Sequence, residues 1–420
     1  MAYTKGMLDI RFIRENKQLV EHSAKEKGYQ VNVDELLKLD DNRRELQQRV
    51  DELREQRNAN AARMKGGKPD QSTIDEGKVI KVALAKQEGY LTRAETEYTN
   101  ALKAVPNIIF DDVPLGGEED SVEVKKWGEQ ATGAKDHLDF ALARDWVDFK
   151  RGARAAGAKF YYIKGDLALL ENAMLQYGID MVRKHGFSYM TVPHMVSTRV
   201  AEAAGFAPKG DASGNEYFVE GEDLTLIGTA EAPLTGYHAD EIIDEKDLPL
   251  LYAGYSPCYR KEAGTYGQHT RGLFRVHQFN KLEMYVFCMP EQSRDMHEKI
   301  LAVEEEIWQT LGVPYHVINI AAGDLGAPAA KKYDVEYWSP VDEKYRELTS
   351  CSNCTDFQAR GLNIRVRRTN GTLESVHTLN GTAISFARGL ITMLEHYQND
   401  DGTLAVPEPL RPYMAGREKI

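Results

Sequence analysis

Positive charge is scarce in this 420-residue chain: 53 Lys and Arg stand against 65 Asp and Glu, a formal net charge of -12. A protein that coats nucleic acid indiscriminately needs the opposite balance, so that class is excluded, although a local basic patch is not. Cysteine is scarce as well. Four in a chain of this length form no disulfide framework and point to a reducing compartment. Cys351-x-x-Cys354 has the spacing of half a zinc site, but no second pair accompanies it, and Cys258 and Cys288 lack metal-ligand spacing. Buried thiols are the expectation. No apolar run approaches the ~20 residues of a membrane helix, and the first thirty residues are charged throughout. A cytoplasmic protein with no membrane span and no signal peptide is therefore expected.

What is present divides unevenly along the chain. At 42% hydrophobic, 420 residues can bury a full core and make two or more domains. Leu36, Leu39, Arg43, Leu46, Val50, Leu53, Arg57 and Asn60 recur three and four residues apart, and so do Ile80, Leu84, Gln87, Leu91, Ala94, Tyr98, Ala101 and Val105. Those are the seams of two long helices, each reaching roughly 40–45 Å. Lys65-Gly-Gly-Lys-Pro69 between them cannot stay helical, so the pair folds back as an antiparallel hairpin, too thin to own a globular core. Residues 53–86 hold eight basic residues against four acidic ones. Either this is the mixed-sign face of a solvated coiled coil, or the far end of the arm meets a phosphate backbone.

The rest is organised around Tyr255 to Tyr285, YSPCYRKEAGTYGQHTRGLFRVHQFNKLEMY. It reads as two antiparallel strands joined by a long polar loop broken at Gly264, Gly267 and Gly272. Period 2 puts Arg260 and Glu262 on one face, and Phe279 and Glu283 on one face of the second strand. Such a set suits a polyanion attached to a flat base; a surface hairpin with ordinary salt bridges is the alternative.

Around it, Glu118 to Asp139 is polar with short strands at most, Leu167 to His185 has helical spacing, and Phe187 to Val196 reads as a strand. Thr229 and Glu231 precede an apolar helix start, where capping is the ordinary explanation. Glu347 and Ser350 on an extended stretch can reach one hard cation, though many strands carry such a pair idly. Ala383 to Tyr397 reads as a helix, and Arg388 on its apolar face needs an anionic partner.

Arg260-x-Glu262, then His277-Gln-Phe279 and Lys281-Leu-Glu283, resemble motif 2 of class II aminoacyl-tRNA synthetases. Asn380-Gly-Thr382 with Arg388 resembles motif 3, and Lys184 to Pro193 resembles motif 1, the dimer element. Thr229-Ala-Glu231, Thr270-Arg-Gly272 and Glu347 to Arg360 (ELTSCSNCTDFQAR) are similar to seryl-tRNA synthetases of the bacterial type. The resemblance spans nearly the whole chain. It implies an α+β fold: an antiparallel sheet flanked by helices as the class II catalytic domain, with an N-terminal antiparallel helical hairpin as a coiled-coil arm. The expected division is 1–108 as tRNA-binding arm, 109–125 as linker and 126–420 as catalytic domain.

The resemblance further implies a homodimer that uses ATP and Mg²⁺ to join L-serine to tRNA(Ser), and to tRNA(Sec) where that exists. Arg260 and Arg388 take the catalytic roles, and Thr229, Ala230, Glu231, Glu283 and Thr382 bind serine. ATP falls to Arg260, Lys261, Glu262, Val276, Phe279, Glu347, Leu348, Thr349, Ser350 and Arg388, and magnesium to Glu347 and Ser350. Lys261 departs from the small residue often found there, Thr382 replaces serine, and NIIFDDVPLG lacks a histidine that relatives often carry. Two rival functions are a ligase loading a carrier protein and a non-catalytic RNA-binding paralogue.

Overall fold

The computed structural model of the chain describes residues 8–65, 70–206, 214–262 and 271–420. The turn expected at 66–69, and Gly264, Gly267 and Thr270 of the central loop, lie outside the described residues. The chain divides into two units, Met1–Ile108 and Ile109–Ile420.

Two helices of 33 residues, Val33–Lys65 and Gln71–Lys103, dominate the first unit. Each is about 50 Å long at the α-helical rise, because the seams extend a turn further than their apolar residues. They run antiparallel: Arg54 donates to Glu88, Arg63 to Glu76, and Asn60 Nδ2 to the Thr73 carbonyl at 3.0 Å. Leu36, Val50, Asn60, Ile80, Leu84, Leu91, Ala94 and Tyr98 are buried along the seam as the spacing predicts. Arg57 is exposed, and Leu102 is buried in place of Ala101, since a straight helix drifts from a 3.5-residue repeat. Asp40, beside the seam, is fully buried within 3.1, 2.8 and 3.0 Å of Arg14, Arg43 and Arg44.

An eight-stranded sheet forms the second unit, ordered Val122–Trp127, Tyr315–Asn319, Lys331–Ser339, Lys344–Asn353, His377–Ser385, Gln278–Cys288, Leu250–Tyr259, Ser188–Thr191. Every neighbouring pair is antiparallel except the last, which is parallel. Asp166–Lys184, Ser293–Thr310 and Phe386–His396 are its main helices. The first presses on the sheet so closely at Gly178 that a Cβ there would stand 2.8 Å from Ile384. Trp308, Tyr315, Tyr337 and Phe386 are among the large side chains that fill the core.

Three boundaries differ from the sequence reading. The last helix begins at Phe386 rather than Ala383, because His377–Ser385 is a central strand buried on both faces. Such a run has no period that separates strand from helix. The stretch from Tyr337 is two strands with a turn at residues 340–343. Val122–Trp127 is a six-residue edge strand that crosses the expected boundary at 125, and Ile109 and Val113 of the expected linker bury against Ile320, Ala322 and Leu325.

Candidate active site

The central hairpin is present, with Tyr259 opposite Gln278 and Tyr255 opposite Leu282. The face argument for Arg260 and Glu262 fails, however. The strand ends at Tyr259, and Glu262 sits at φ 49°, in the left-handed region that non-glycine residues seldom occupy. The returning chain brings the two together instead. Arg260 N donates to the His277 carbonyl at 3.0 Å, and Arg275 Nη1 donates to Glu262 Oε2 at 3.0 Å.

Both residues line a cavity of about 300 Å³ with Val276, Phe279, Lys281, Glu347, Leu348, Thr349, Ser350, Thr382 and Arg388. The Arg260 guanidinium lies 5.2 Å from the Phe279 ring centroid and its Nε donates to the Gly228 carbonyl at 3.2 Å. Arg388 has the anionic partner its apolar helix requires: Nη1 lies 2.9 Å from Glu347 Oε1. Desolvation alone would raise the Glu347 carboxyl, but the Arg388, Lys332 and Arg260 charges outweigh it and hold the group well below the usual range. Lys261 turns elsewhere: Nζ stands over the Tyr217 and Phe218 rings at 5.9 and 5.4 Å.

Two bulges aim the polar side chains. Opposite Lys331–Ser339 the register slips so that Val335 faces Thr349 while Glu336 faces Glu347, leaving Leu348 as the extra residue. That lets Glu347 and Ser350, three apart, look into one cavity, which an unbroken strand would forbid. Opposite Gln278–Cys288 the slip leaves Ala383 unpaired and sets Thr382 across from Glu283, Oγ1 to Oε2 at 3.5 Å. The all-oxygen pair Glu347 and Ser350 fits magnesium, which takes one or two protein ligands and completes its shell with phosphate and water. Asp334, opposite Ser350, is buried with Oδ1 lacking a hydrogen-bond partner, another hard oxygen nearby. Among the described residues no group of three acidic, His or Cys side chains forms a self-sufficient metal cage.

Thr229 and Glu283 join the cavity through Lys281, and Ala230 and Glu231 follow Thr229 in the chain. Lys281 Nζ lies 2.5 Å from Glu283 Oε2 and donates to Thr229 Oγ1 at 3.2 Å. Glu231 Oε1 accepts from Gln358 Nε2 at 2.7 Å and Asn380 Nδ2 at 2.9 Å. Desolvation, with the Glu283 charge adding, pushes its carboxyl up to about 7. The capping explanation of Thr229 holds in part, since Glu231 N donates to Thr229 Oγ1 at 3.3 Å. The sequence pattern alone gives Lys281, Gln358 and Asn380 no role. The available signal was a lysine and two carboxamides inside segments otherwise apolar enough to be buried.

A charged cavity with an aromatic floor thus opens onto a small carboxylate-lined recess. Residues 7–109 match the seryl-tRNA synthetase N-terminal domain, and residues 217–397 match the class II tRNA synthetase core domain for G, H, P, S and T. The serine–tRNA ligase of Dictyoglomus turgidum is 45% identical over 97% of this chain and 98% of its own length, and that of Methanocella arvoryzae 43% over 99% and 100%. Among solved structures, seryl-tRNA synthetase from Pyrococcus horikoshii complexed with ATP superimposes with a TM-score of 0.87 at 40% identity, covering 98% of this chain and 99% of that one. The cytoplasmic enzyme of Naegleria fowleri in complex with AMP gives 0.85 at 30% identity, covering 98% of each chain. Arm, sheet and cavity all lie within these matches, and the chain belongs to the seryl-tRNA synthetase family.

Proposed function

We propose that this chain is a serine–tRNA ligase that activates L-serine with ATP and transfers it to the 3′-terminal adenosine of tRNA(Ser), and of tRNA(Sec) where that exists. The observation that carries the reading is the junction of two unlike sites at Lys281. On one side lie Arg260, Glu262, Phe279 and Arg388, suited to a base and its phosphates. On the other lie Glu231 and Glu283, suited to an ammonium and a hydroxyl.

Adenine would stack between Phe279 and Arg388 with Glu262 accepting from its amino group, while Val276, Leu348 and Thr349 wall the nucleotide. Arg260 would bridge the α-phosphate and the serine carboxylate. Its charge is already in place when negative charge grows at phosphorus, so no reorganisation is needed as pyrophosphate leaves. Glu231 with Thr229 and Ala230 would hold the serine ammonium, and Glu283 with Thr382 the hydroxyl. No side-chain nucleophile is required: the serine carboxylate attacks the α-phosphorus, and the tRNA hydroxyl then attacks the acyl carbon of the adenylate. Orientation of the reactants supplies much of the rate. Glu347 and Ser350 would hold magnesium, whose charge neutralises the phosphates when it is bound. Lys261, directed over Tyr217 and Phe218, would act on ATP only through the backbone at that position.

In this reading the protein is a cytoplasmic homodimer, with the motif 1 segment and its edge strand Ser188–Thr191 at the interface, and the helical hairpin of residues 33–103 carries tRNA. The hairpin counts against a carrier-protein ligase, and the intact Arg260, Glu347 and Arg388 count against a non-catalytic paralogue. ATP–pyrophosphate exchange, with serine, threonine, alanine, glycine and cysteine offered separately, tests it. Exchange should depend on serine; exchange driven equally well by glycine or alanine would reject serine as the substrate.

A further inference from the structure

Among the described residues, Lys281 is a cationic side chain that touches both Glu283 and Thr229. It is 8% exposed, on a strand whose neighbours Leu282 and Met284 are fully buried. A buried lysine is stable as a cation only where partners replace water. Its two recorded partners belong to different recognition groups: Glu283 Oε2 at 2.5 Å and Thr229 Oγ1 at 3.2 Å.

We propose that Lys281 is a specificity-determining positioning residue, which fixes Glu283 as the acceptor for the substrate hydroxyl and sets the direction of the Thr229 hydroxyl. The inference rests on the serine reading above and deepens it. Thr229 Oγ1 accepts from both Lys281 Nζ and the Glu231 amide, at 3.2 and 3.3 Å, so both its lone pairs are taken. Its proton is then left to donate to a substrate oxygen, and Thr229 flanks the ammonium without accepting from it. The ammonium falls to Glu231, whose carboxylate is held by Gln358 and Asn380.

The charges around Lys281 explain why a cation is needed there. Glu231 faces it from the first turn of the helix Glu231–Thr235, Cys258 from the end of the strand Leu250–Tyr259 and Arg260 from just beyond it, and Glu304 from the helix Ser293–Thr310. Thr382 faces Glu283 from the strand His377–Ser385. Glu304 is fully buried, and desolvation pushes its carboxyl well above the usual range, which disfavours a further anion there. Glu231 and Glu283 therefore share the recess as two carboxylates, with Lys281 between them and Arg260 at the rim. Without Lys281 the repulsion between the two is less offset, the Glu231 carboxyl rises further, and Glu283 loses the partner that holds it in place as an acceptor. Alanine then loses its disadvantage.

The test is a double-mutant cycle on the full-length enzyme, reading serine- and alanine-dependent ATP–pyrophosphate exchange from pH 6 to 9. Lys281→Met should lower kcat/KM for serine by about 10² to 10³-fold at pH 7, with KM for ATP little changed. It should also reduce the serine-over-alanine ratio by at least about tenfold and move the wild type's acid-side loss of serine rate to higher pH, because Lys281 lowers the Glu231 carboxyl. Lys281→Met with Glu283→Gln removes both buried charges, protects against misfolding, and should be no worse than Glu283→Gln alone, because one residue acts through the other. Additive losses, or a Lys281→Met enzyme with the wild-type ratio and pH profile, would overturn the proposal. A wild type without serine-dependent exchange would instead overturn the underlying reading, and the proposal with it.

Discussion

Arg388 holds Glu347 twice, through Nη1 to Oε1 at 2.9 Å and through Nη1 to the Glu347 carbonyl at 2.8 Å. The clamp ties the last helix to the strand Lys344–Asn353 across the cavity and keeps the carboxylate ionised. In the proposed reaction Glu347 would also hold magnesium, so Arg388 and the ion would share one carboxylate. Glu347→Gln keeps the shape and removes the charge. It should raise the Mg²⁺ concentration needed for half-maximal exchange by at least about tenfold. An unchanged Mg²⁺ titration would remove Glu347 from the metal site.

Serine binding should weaken in acid through Glu231. Its carboxyl is raised from 4.5 to about 7 by desolvation and by Glu283, and only the ionised form attracts an ammonium. KM for serine should therefore be lowest above pH 7 and rise as pH falls below it. The linkage to stability has the opposite sense. A raised carboxyl favours the fold fully below its unfolded value of 4.5, and that contribution is lost as pH climbs through 7. Glu231→Gln should abolish both trends, seen as a flat KM profile and a higher relative melting temperature on the alkaline side.

The arm and the motifs were legible from sequence for different reasons. Val50, Leu84 and Leu91 pack on one another with Leu46 and Leu53 against them, so their spacing had to appear as an unbroken seam. The motifs could be read because their residue types are rare in combination. What escaped was set by tertiary contacts. No local pattern announces the slip at Leu348 that turns Glu347 and Ser350 to one side, or the slip at Ala383 that sets Thr382 across from Glu283. The φ of 49° at Glu262 likewise defeats any inference from strand period. Lys281 was visible as a letter, but its burial between Glu283 and Thr229 depends on a segment some fifty residues earlier.

The far half of the arm should matter for tRNA and not for ATP. Leu46 and Leu91 belong to the same seam cluster, so excising 47–90 and closing 46 to 91 with a short glycine–serine turn preserves the proximal contact. The excised piece contains all of residues 53–86, with their eight basic and four acidic side chains. Exchange should stay within about twofold of wild type, whereas tRNA charging should fall by on the order of 10²-fold and lose much of its salt dependence. Full charging efficiency in the shortened enzyme would mean that the arm serves another purpose.

Hydroxyl recognition is the sharpest demand on the site, because alanine differs from serine by one oxygen. Thr382 and Glu283 face each other in register, with Oγ1 3.5 Å from Oε2, a long contact that leaves room for a substrate hydroxyl to draw both closer. Sites that surround a hydroxyl with buried polar partners reject the analogue lacking it by about 10⁴–10⁵, against about 10² for a merely apolar fit. Threonine keeps the hydroxyl and adds a methyl, so it must be excluded by shape. Thr382→Val is nearly isosteric, keeps the packing of a 4% exposed position, and removes one of the two partners. The ratio of kcat/KM for serine to that for alanine should fall by on the order of 10²-fold, with KM for ATP unchanged. If the ratio does not move, Thr382 does not touch the substrate, and the discrimination belongs to Glu283 with the lysine that holds it.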